Sequence, residues 1–235
     1  MPFPGIPAEA LSALAEPSVA TQARLTEALR GCGAPAGAEA RVLEYARLLL
    51  AANTATNLTG ARGWDDLVEA HLEDSLRALA WVPPAARVVA DWGSGAGLPG
   101  LVWALARPEW TLHLVERNEK KAGFLREAAQ RLHARNVQVH ARQLHEVLGA
   151  LAPRADAVVA RAVERLPALL ARLAGERAPR IPLLWMAGPG WEGEFAALPQ
   201  ARRVLWRAEA LGRYALAAGR GERALVRFTR AEASR

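Results

Sequence analysis

The chain has 235 residues, of which 51% are hydrophobic, so it is long enough for one medium domain or for one domain with a small appendage. It has no run of about 18 apolar residues, and its first residues lack the basic and apolar regions of a signal peptide, which argues against membrane-spanning and secreted proteins. The single Cys32 excludes an internal disulfide, and we therefore expect a cytoplasmic protein.

The formal net charge of +6 is concentrated near the end of the sequence. Residues 200–235 contain nine arginines and three glutamates, a surplus of six positive charges. A basic segment is typical of proteins that bind phosphate-rich partners, which favours a nucleic acid. The alternative is a general preference for arginine, because the whole chain has 28 arginines and two lysines.

The first part of the chain is predicted to be helical, because apolar residues recur three and four positions apart over residues 8–80. A turn at residues 57–60 and two prolines at positions 83 and 84 interrupt this pattern. We therefore predict an N-terminal helical extension over residues 1–84.

From residue 87 onward, short apolar runs alternate with helical segments. The corresponding strands are predicted at residues 87–91, 111–116, 136–140, 155–161 and 181–188. This alternation predicts an α/β domain over residues 85–235, with a parallel sheet covered on both faces. Residues 202–210 and 223–230 follow as two further strands, joined through residues 211–222. No long helix separates them, so we expect an antiparallel pair at the sheet edge.

The segment after the first predicted strand, residues 91–100, reads DWGSGAGLPG. Its alternating glycines allow a sharp turn and a close approach to a ligand, and Pro99 suits the first residue of a helix. Free N–H groups at that helix start can hold a carboxylate, while Asp91 supplies a carboxylate of its own. This combination favours the zwitterionic part of S-adenosylmethionine. Residues 95–100 also fit the dinucleotide fingerprint G-x-G-x-x-G, so a nucleotide or flavin cofactor and a purely structural turn stay open.

Polar residues end or follow the later strands. Glu116 ends the second predicted strand, where a carboxylate can accept hydrogen bonds from both hydroxyls of a ribose. Arg161 ends the fourth strand, at the edge where open α/β sheets bind ligands, and Arg142 follows the third strand. These residues extend the candidate site around the glycine turn.

Several motifs, in order along the chain, resemble those of the GidB/RsmG methyltransferases, which modify N7 of a guanine in the decoding region of 16S ribosomal RNA. They are NLT at residues 57–59, HLEDS at 71–75, DWGSGAGLPG at 91–100, KKAGFL at 120–125, ARA at 160–162 and GER at 221–223. The resemblance implies a Rossmann-like methyltransferase fold with an N-terminal helical extension, and S-adenosylmethionine as the cofactor. It also implies 16S ribosomal RNA or the small ribosomal subunit as the partner. We expect a monomer that does not bind membranes.

The strand-end positions, the glycine turn, the basic charges and the resemblance together give expected roles for individual residues. The expected catalytic residues are Arg161, His71 and Asp74, the last two as the resemblance implies. The expected cofactor contacts are Asp91, Gly93, Ser94, Gly95, Gly97, Leu98, Glu116 and Arg161. The expected RNA contacts are Asn57, Lys120, Lys121, Arg142 and Arg223, and no metal site is expected.

Some of these residues also have structural interpretations. His71 and Asp74 share a helix face and could form a packing pair that anchors the extension. Asn57 could bond its own turn, and Lys120 and Lys121 could be solvated charges at a helix start. Trp191, just after a Gly-Pro-Gly turn, is the candidate for an exposed ring that stacks beside a base.

Four positions depart from the family pattern: Ala70, Ala160, Ala187 and Ala224 stand where the family commonly has arginine, serine, lysine and histidine. Three of these changes remove a group that can contact phosphate or a base. A methyltransferase with another acceptor, or a non-catalytic RNA-binding or ribosome-assembly factor, are therefore the alternatives to a guanine-N7 methyltransferase.

Overall fold

The computed structural model describes residues 2–151, 154–174, 180–216 and 219–231. Within these residues, seven strands form one sheet with the order β3-β2-β1-β4-β5-β7-β6. The strands are β1 (Val88–Trp92), β2 (Thr111–Val115), β3 (Val137–His140), β4 (Ala157–Ala160), β5 (Leu183–Ala187), β6 (Trp206–Ala215) and β7 (Glu222–Arg230).

Helices precede the sheet and connect its parallel strands. They are α1 (Ala8–Ala13), α2 (Val19–Gly31), α3 (Ala38–Asn53), α4 (Trp64–Leu67), α5 (Glu73–Leu79), α6 (Gly100–Ala106), α7 (Glu119–Arg131), α8 (Leu144–Leu151), α9 (Leu166–Leu173), α10 (Trp191–Ala196) and α11 (Gln200–Arg203). A π-helical turn over Val68–Leu72 joins α4 to α5 without a break.

Strands β1 to β5 are parallel, which confirms the α/β prediction. The central strands are short apolar runs buried on both faces, as parallel sheets require. The strand order reverses between β1 and β4, and open sheets of this kind bind ligands in the crevice at the carboxyl ends of such strands. The glycine turn after β1 lies at this point of the sheet.

The antiparallel pair at the sheet edge is also confirmed, because β7 pairs antiparallel with β5 and with β6. The predicted connection over residues 211–222 is wrong in its first half, where β6 continues to Ala215. Gly212 and Tyr214 are buried while Arg213 is exposed, so the segment follows the strand period of two. A side chain at Gly212 would place its Cβ 1.9 Å from the Trp81 ring, which explains a glycine inside this strand.

The two faces of the sheet carry separate layers of apolar packing. On one face, residues from the helical extension such as Tyr45 and Leu72 share a core with Trp103 of α6. On the other face, α8, α9 and α10 pack against the sheet. β1 begins at Val88, close to the predicted boundary after residue 84, but the core is continuous across that boundary.

Trp191 belongs to the second layer and is 8% exposed, so the prediction of an exposed stacking ring is wrong.

Candidate cofactor and acceptor site

The turn after β1 has a backbone that only glycine adopts easily. Gly93, Gly95 and Gly97 have φ angles of 72°, 57° and 104°, in the left-handed region where a side chain is strained. A Cβ at Gly93 would also lie 2.6 Å from Val163, in the segment that follows β4. Gly93 therefore lets the β1 turn and the segment after β4 approach each other at the carboxyl edge.

The N–H groups of this turn bond within the chain. The N–H of Gly97 donates to the carbonyl of Ser94 at 2.7 Å, and the N–H of Gly100 donates to Oδ2 of Asp91 at 2.9 Å. Pro99 precedes helix α6 instead of beginning it. The prediction that this helix start offers free N–H groups to a ligand carboxylate is therefore wrong at Gly97 and Gly100, because the chain's own oxygens accept from them.

Asp91 is a buried carboxyl group with one oxygen left over. Its side chain is 1% exposed, and its Oδ1 has no hydrogen-bond partner among the described residues. Burial raises the pKa of Asp91 to about 7, although the N–H of Gly100 and the charge of Arg161 oppose that shift. A buried, half-satisfied carboxylate is stabilised by a cationic partner, so this position suits a positively charged ligand group.

A cleft of about 520 Å³ opens beside the turn. Its volume falls within the range of roughly 300–1,000 Å³ that small-molecule sites occupy. Glu116 lines it and accepts hydrogen bonds from the N–H groups of Gly95 at 2.9 Å and Asn118 at 2.7 Å, which fasten the turn to the end of β2. The cleft-lining residues also include Gly93, Gly95, Lys121, Arg142, Ala162 and Val163. A larger hollow of about 960 Å³ lies between α7 and the N-terminal segment around Phe3, outside this edge.

Three of the four basic residues predicted to contact RNA, all except Arg223, lie in the lining of this cleft or next to it in the chain. Lys121 and Arg142 line it, and Lys120 is exposed one residue earlier. Asn118 caps the N-terminus of α7, and its side chain accepts hydrogen bonds from the backbone N–H groups of both lysines. Both lysines therefore lie in the first turn of that helix. The arrangement places positive charge beside the candidate cofactor cleft.

Arg161 lies at the end of β4 and contacts the helical extension. Its guanidinium donates to Oδ2 of Asp74 at 3.0 Å and to Nδ1 of His71 at 2.9 Å. Because the arginine guanidinium can only donate, Nδ1 of His71 must be the acceptor. The proton of the neutral imidazole ring therefore lies on Nε2, which is 3.1 Å from the hydroxyl oxygen of Thr59. The structure thus joins the three residues predicted to be catalytic into one hydrogen-bonded group.

The electrostatics of this group keep the histidine neutral. Burial lowers the pKa of His71 to about 4, and the positive charges of Arg161 and Arg220 contribute to that shift. His71 lies in the π-helical turn, a local irregularity that is frequent at functional sites. Ala162, directly after Arg161, has a φ of 52°, which is strained for a residue with a side chain.

Comparison with known proteins decides the family. The family model described as "GidB: rRNA small subunit methyltransferase G" matches residues 38–186. The chain belongs to the GidB family. This confirms the resemblance predicted from the motifs.

Two relatives illustrate the GidB match. Ribosomal RNA small subunit methyltransferase G of Halorhodospira halophila is 41% identical over 162 residues, which cover 68% of this chain and 75% of the relative. The protein of the same name from Rhodospirillum centenum is 46% identical over 131 residues, covering 55% of this chain and 58% of the relative. A solved mutant of MtNAS in complex with S-adenosylmethionine has a TM-score of 0.50, 14% identity and coverage of 81% of this chain and 78% of that chain, and supports the Rossmann-like fold alone.

Three residues outside the sequence motifs contact residues of the candidate site, namely Tyr45, Asn53 and Tyr214. Tyr45 of α3 donates its hydroxyl to the carbonyl of Ala96 in the glycine turn at 2.7 Å. The side-chain oxygen of Asn53 accepts hydrogen bonds from the N–H groups of Leu58 and Thr59, both at 2.9 Å. Asn53 therefore stabilises the NLT turn, a role that the sequence suggested for Asn57.

Asn57 itself is exposed on this turn. The hydroxyl of Tyr214, on β6, donates to Oδ1 of Asp74 at 2.8 Å. The only sequence signal for the contacts of Asn53 is that it is a polar residue directly after the apolar run at residues 48–52 of α3, and the contact of Tyr45 has no local sequence signal. The contact of Tyr214 has no local sequence signal.

Part of the C-terminal arginine surplus is neutralised in the structure. Arg213 pairs with Glu192 and Glu222, and Arg227 pairs with Glu209. Arg220 pairs with Asp66 at 3.1 Å, which ties the loop between β6 and β7 to the helical extension. Arg223 donates to the carbonyl of Glu222, and Arg202 is exposed. Among the described residues, no carboxylate pairs with either guanidinium. Arg235 lies outside the described residues.

The departures from the GidB pattern are not scattered in space. Ala187 and Ala224 are register partners across β5 and β7, and both are buried. Ala160 ends β4 immediately before Arg161, and Ala70 lies in the π-helical turn beside His71.

In the described part of the chain, no helix is long and apolar enough to span a membrane, and no three metal-ligating side chains converge.

Proposed function

We propose that this chain transfers a methyl group from S-adenosylmethionine to N7 of a guanine in 16S ribosomal RNA. One observation carries the proposal: the GidB match over residues 38–186 includes His71, Asp74, the glycine turn and Arg161, which the fold gathers at one sheet edge. The relatives in this family are named for small-subunit ribosomal RNA methylation.

The residues at this edge fit the cofactor. When bound, S-adenosylmethionine supplies an activated methyl group on a sulfonium centre. The free oxygen of Asp91 suits a cationic group, and Glu116 on the cleft wall suits ribose hydroxyls. Gly93 and Gly95 allow the ligand to approach the backbone. Ser94 and Leu98 shape the turn, since the carbonyl of Ser94 accepts from the N–H of Leu98 at 3.1 Å.

The acceptor chemistry needs orientation more than proton transfer. Guanine N7 carries a lone pair and no proton at neutral pH, so its attack on a methyl group requires no general base. A neutral His71 that accepts a hydrogen bond from Arg161 is consistent with this requirement. We assign Arg161 the task of orienting the acceptor, through its phosphate or its guanine edge, beside the cofactor.

The partner surface follows from the free basic groups. Lys120, Lys121, Arg142 and Arg223 contact RNA phosphates in this proposal, and the exposed Asn57 approaches the acceptor from the helical extension. We propose that the protein acts as a monomer in the cytoplasm, on the small ribosomal subunit or its RNA.

Mapping of 7-methylguanosine tests the proposal in cells. We expect 16S RNA from cells that carry the gene to contain a 7-methylguanosine that is absent after deletion and restored by the wild-type chain. A modified nucleotide of another kind or in another RNA would instead support the divergent acceptor. An unchanged modification pattern with altered small-subunit assembly would support the non-catalytic factor.

A further inference from the structure

Tyr214 joins the C-terminal strand pair to the predicted acceptor site. Its side chain is 8% exposed, and its hydroxyl donates to Oδ1 of Asp74 at 2.8 Å. The other oxygen of Asp74 accepts from Arg161 at 3.0 Å. One buried carboxylate therefore bridges a tyrosine of β6 and the arginine at the end of β4.

The bridge restricts the orientation of Arg161. A carboxylate that accepts at one oxygen only can rotate about its last bond, whereas a donor on each oxygen fixes its plane. Tyr214 supplies the donor to Oδ1, so Oδ2 of Asp74 faces the guanidinium of Arg161. His71 accepts from another nitrogen of the same guanidinium at 2.9 Å, and the planar group is thereby held at two points.

We infer that Tyr214 is a positioning residue for methyl transfer, acting through Asp74 on Arg161, an inference that rests on the proposed function. The C-terminal strand pair then contributes directly to the acceptor side of the site. Burial and the negative charge of Asp74 raise the pKa of Tyr214, so its hydroxyl keeps the proton that it donates.

A second buried tyrosine provides the matched comparison. Tyr45 is fully buried, and its hydroxyl donates to the carbonyl of Ala96 in the glycine turn at 2.7 Å. Burial raises its pKa as well, so it too remains a donor. Tyr45→Phe and Tyr214→Phe each remove one hydroxyl and keep the ring. The first removes a hydrogen bond to the cofactor turn, and the second removes a hydrogen bond to the group that holds Arg161.

The two variants should separate in cofactor binding and in turnover. For Tyr214→Phe, we expect the Kd for S-adenosylmethionine to stay within about twofold of wild type, while kcat for methylation of small-subunit RNA falls by about 10- to 100-fold, as for a misplaced reactant. For Tyr45→Phe, we expect weaker cofactor binding and a kcat that recovers at saturating cofactor. An unchanged kcat in Tyr214→Phe overturns the inference. So does a parallel loss of cofactor binding, turnover and Tm, which a packing role would produce.

A readout without turnover separates this inference from the proposed function. In protein labelled with ¹⁵N-arginine, the guanidinium N–H signals of Arg161 should exchange slowly with water, and their loss in Arg161→Lys identifies them. We expect these signals to persist in Tyr45→Phe and to disappear in Tyr214→Phe. If the wild-type chain methylates no ribosomal substrate, the proposed function fails. If the Arg161 signals persist in Tyr214→Phe, the positioning role of Tyr214 fails, whatever the result of the activity assay.

Discussion

Arg161 and Asp74 form a nearly buried ion pair, 3.0 Å between Nη1 and Oδ2, that joins the end of β4 to helix α5. Their side chains are 14% and 9% exposed. The pair therefore has a structural role as well as a functional one, because removing one partner leaves the other charge buried without compensation.

Substitutions of Arg161 should separate these two roles. Arg161→Ala should lower the free energy of unfolding by about 3–5 kcal/mol, the usual effect of breaking a buried pair. Arg161→Lys keeps the charge but not the planar two-point geometry. We expect it to fold, to bind S-adenosylmethionine nearly normally and to lose roughly 10²-fold in methyl transfer.

A double variant provides the control for Arg161. Adding Asp74→Asn to Arg161→Ala removes the uncompensated charge, so it should restore much of the stability measured by urea denaturation and none of the transfer activity. Full methyl transfer in Arg161→Lys would show that the charge alone suffices and that orientation by the guanidinium is not required.

Asp91→Asn should change stability and cofactor affinity in opposite directions. The pKa of Asp91 is about 7 in the folded chain and lower when unfolded, so ionisation of Asp91 between about pH 4 and pH 7 opposes folding. The cofactor-free variant should be more stable than wild type at pH 7, by on the order of 3 kcal/mol, and the difference should shrink toward pH 4.

The affinity of Asp91→Asn for S-adenosylmethionine should fall about 10- to 100-fold, because a charge-assisted hydrogen bond contributes roughly 1.5–3 kcal/mol. Calorimetry measures the affinity, and denaturation at both pH values measures the stability. Unchanged affinity in the folded variant would remove Asp91 from the cofactor site.

His71 should make the chain less stable in acid. Its folded pKa of about 4 lies below the usual value near 6.5, so the unfolded chain binds the extra proton between these values. The contribution of His71 to folding is complete above about pH 6.5 and is lost as the pH falls toward 4. His71→Gln keeps an acceptor for Arg161 but does not titrate.

The measurement compares the free energies of unfolding of wild type and His71→Gln at pH 7 and pH 5. Between pH 7 and pH 5, the free energy of unfolding of wild type should fall by about 1 kcal/mol more than that of the variant. We expect less than the full 1.4 kcal/mol for each unit by which the pKa is lowered, because the His71 ring is partly exposed to solvent. The pKa values of His113 and His140 are also lowered, but both residues are present in each protein and their effects cancel. Equal pH dependence in the two proteins would contradict a neutral, partly buried His71.

The fold could be predicted from local patterns because each central strand is a short apolar run with a breaker after it. The glycine turn, Glu116 and Arg161 followed from the same rule, since parallel strands bring their carboxyl ends to one edge. The hydrogen bonds could not be predicted. Whether the N–H of Gly100 is free depends on Asp91, nine residues earlier, and on how tightly the turn closes.

Interactions between distant segments were the hardest part of the site to predict. Tyr214 lies within what the sequence indicates is a connection, and its partner Asp74 is 140 residues away. In the same way, Ala187 and Ala224 look like independent departures from the GidB pattern until the register pairs them. The positions of the family's lysine and histidine therefore lie side by side on β5 and β7.

The C-terminal arginines should differ in their effect on RNA binding. Arg202, Arg203 and Arg223 have no carboxylate partner among the described residues, whereas Arg213 and Arg227 do. Replacing the first three by Gln should reduce the salt dependence of RNA affinity by about 0.7 log units per log unit of salt for each phosphate that is no longer neutralised.

The control replaces Arg213 and Arg227 by Gln, and it should change the slope less, because their charges are already compensated within the fold. Fluorescence anisotropy with a fragment of 16S RNA at several salt concentrations gives both slopes. Identical slopes in wild type and in the triple variant would show that these arginines are a solvated surface.

Methylation of guanine N7 in small-subunit RNA is the activity that we propose for this chain. The most direct test incubates the purified protein with radiolabelled S-adenosylmethionine and with small subunits, or their RNA, from cells that lack the gene, and then identifies the labelled nucleoside. We predict label in 7-methylguanosine at one position of 16S RNA, with Arg161→Lys reduced by roughly 10²-fold under the same conditions. Label in another nucleoside, or tight RNA binding with no incorporated label, would contradict the claim.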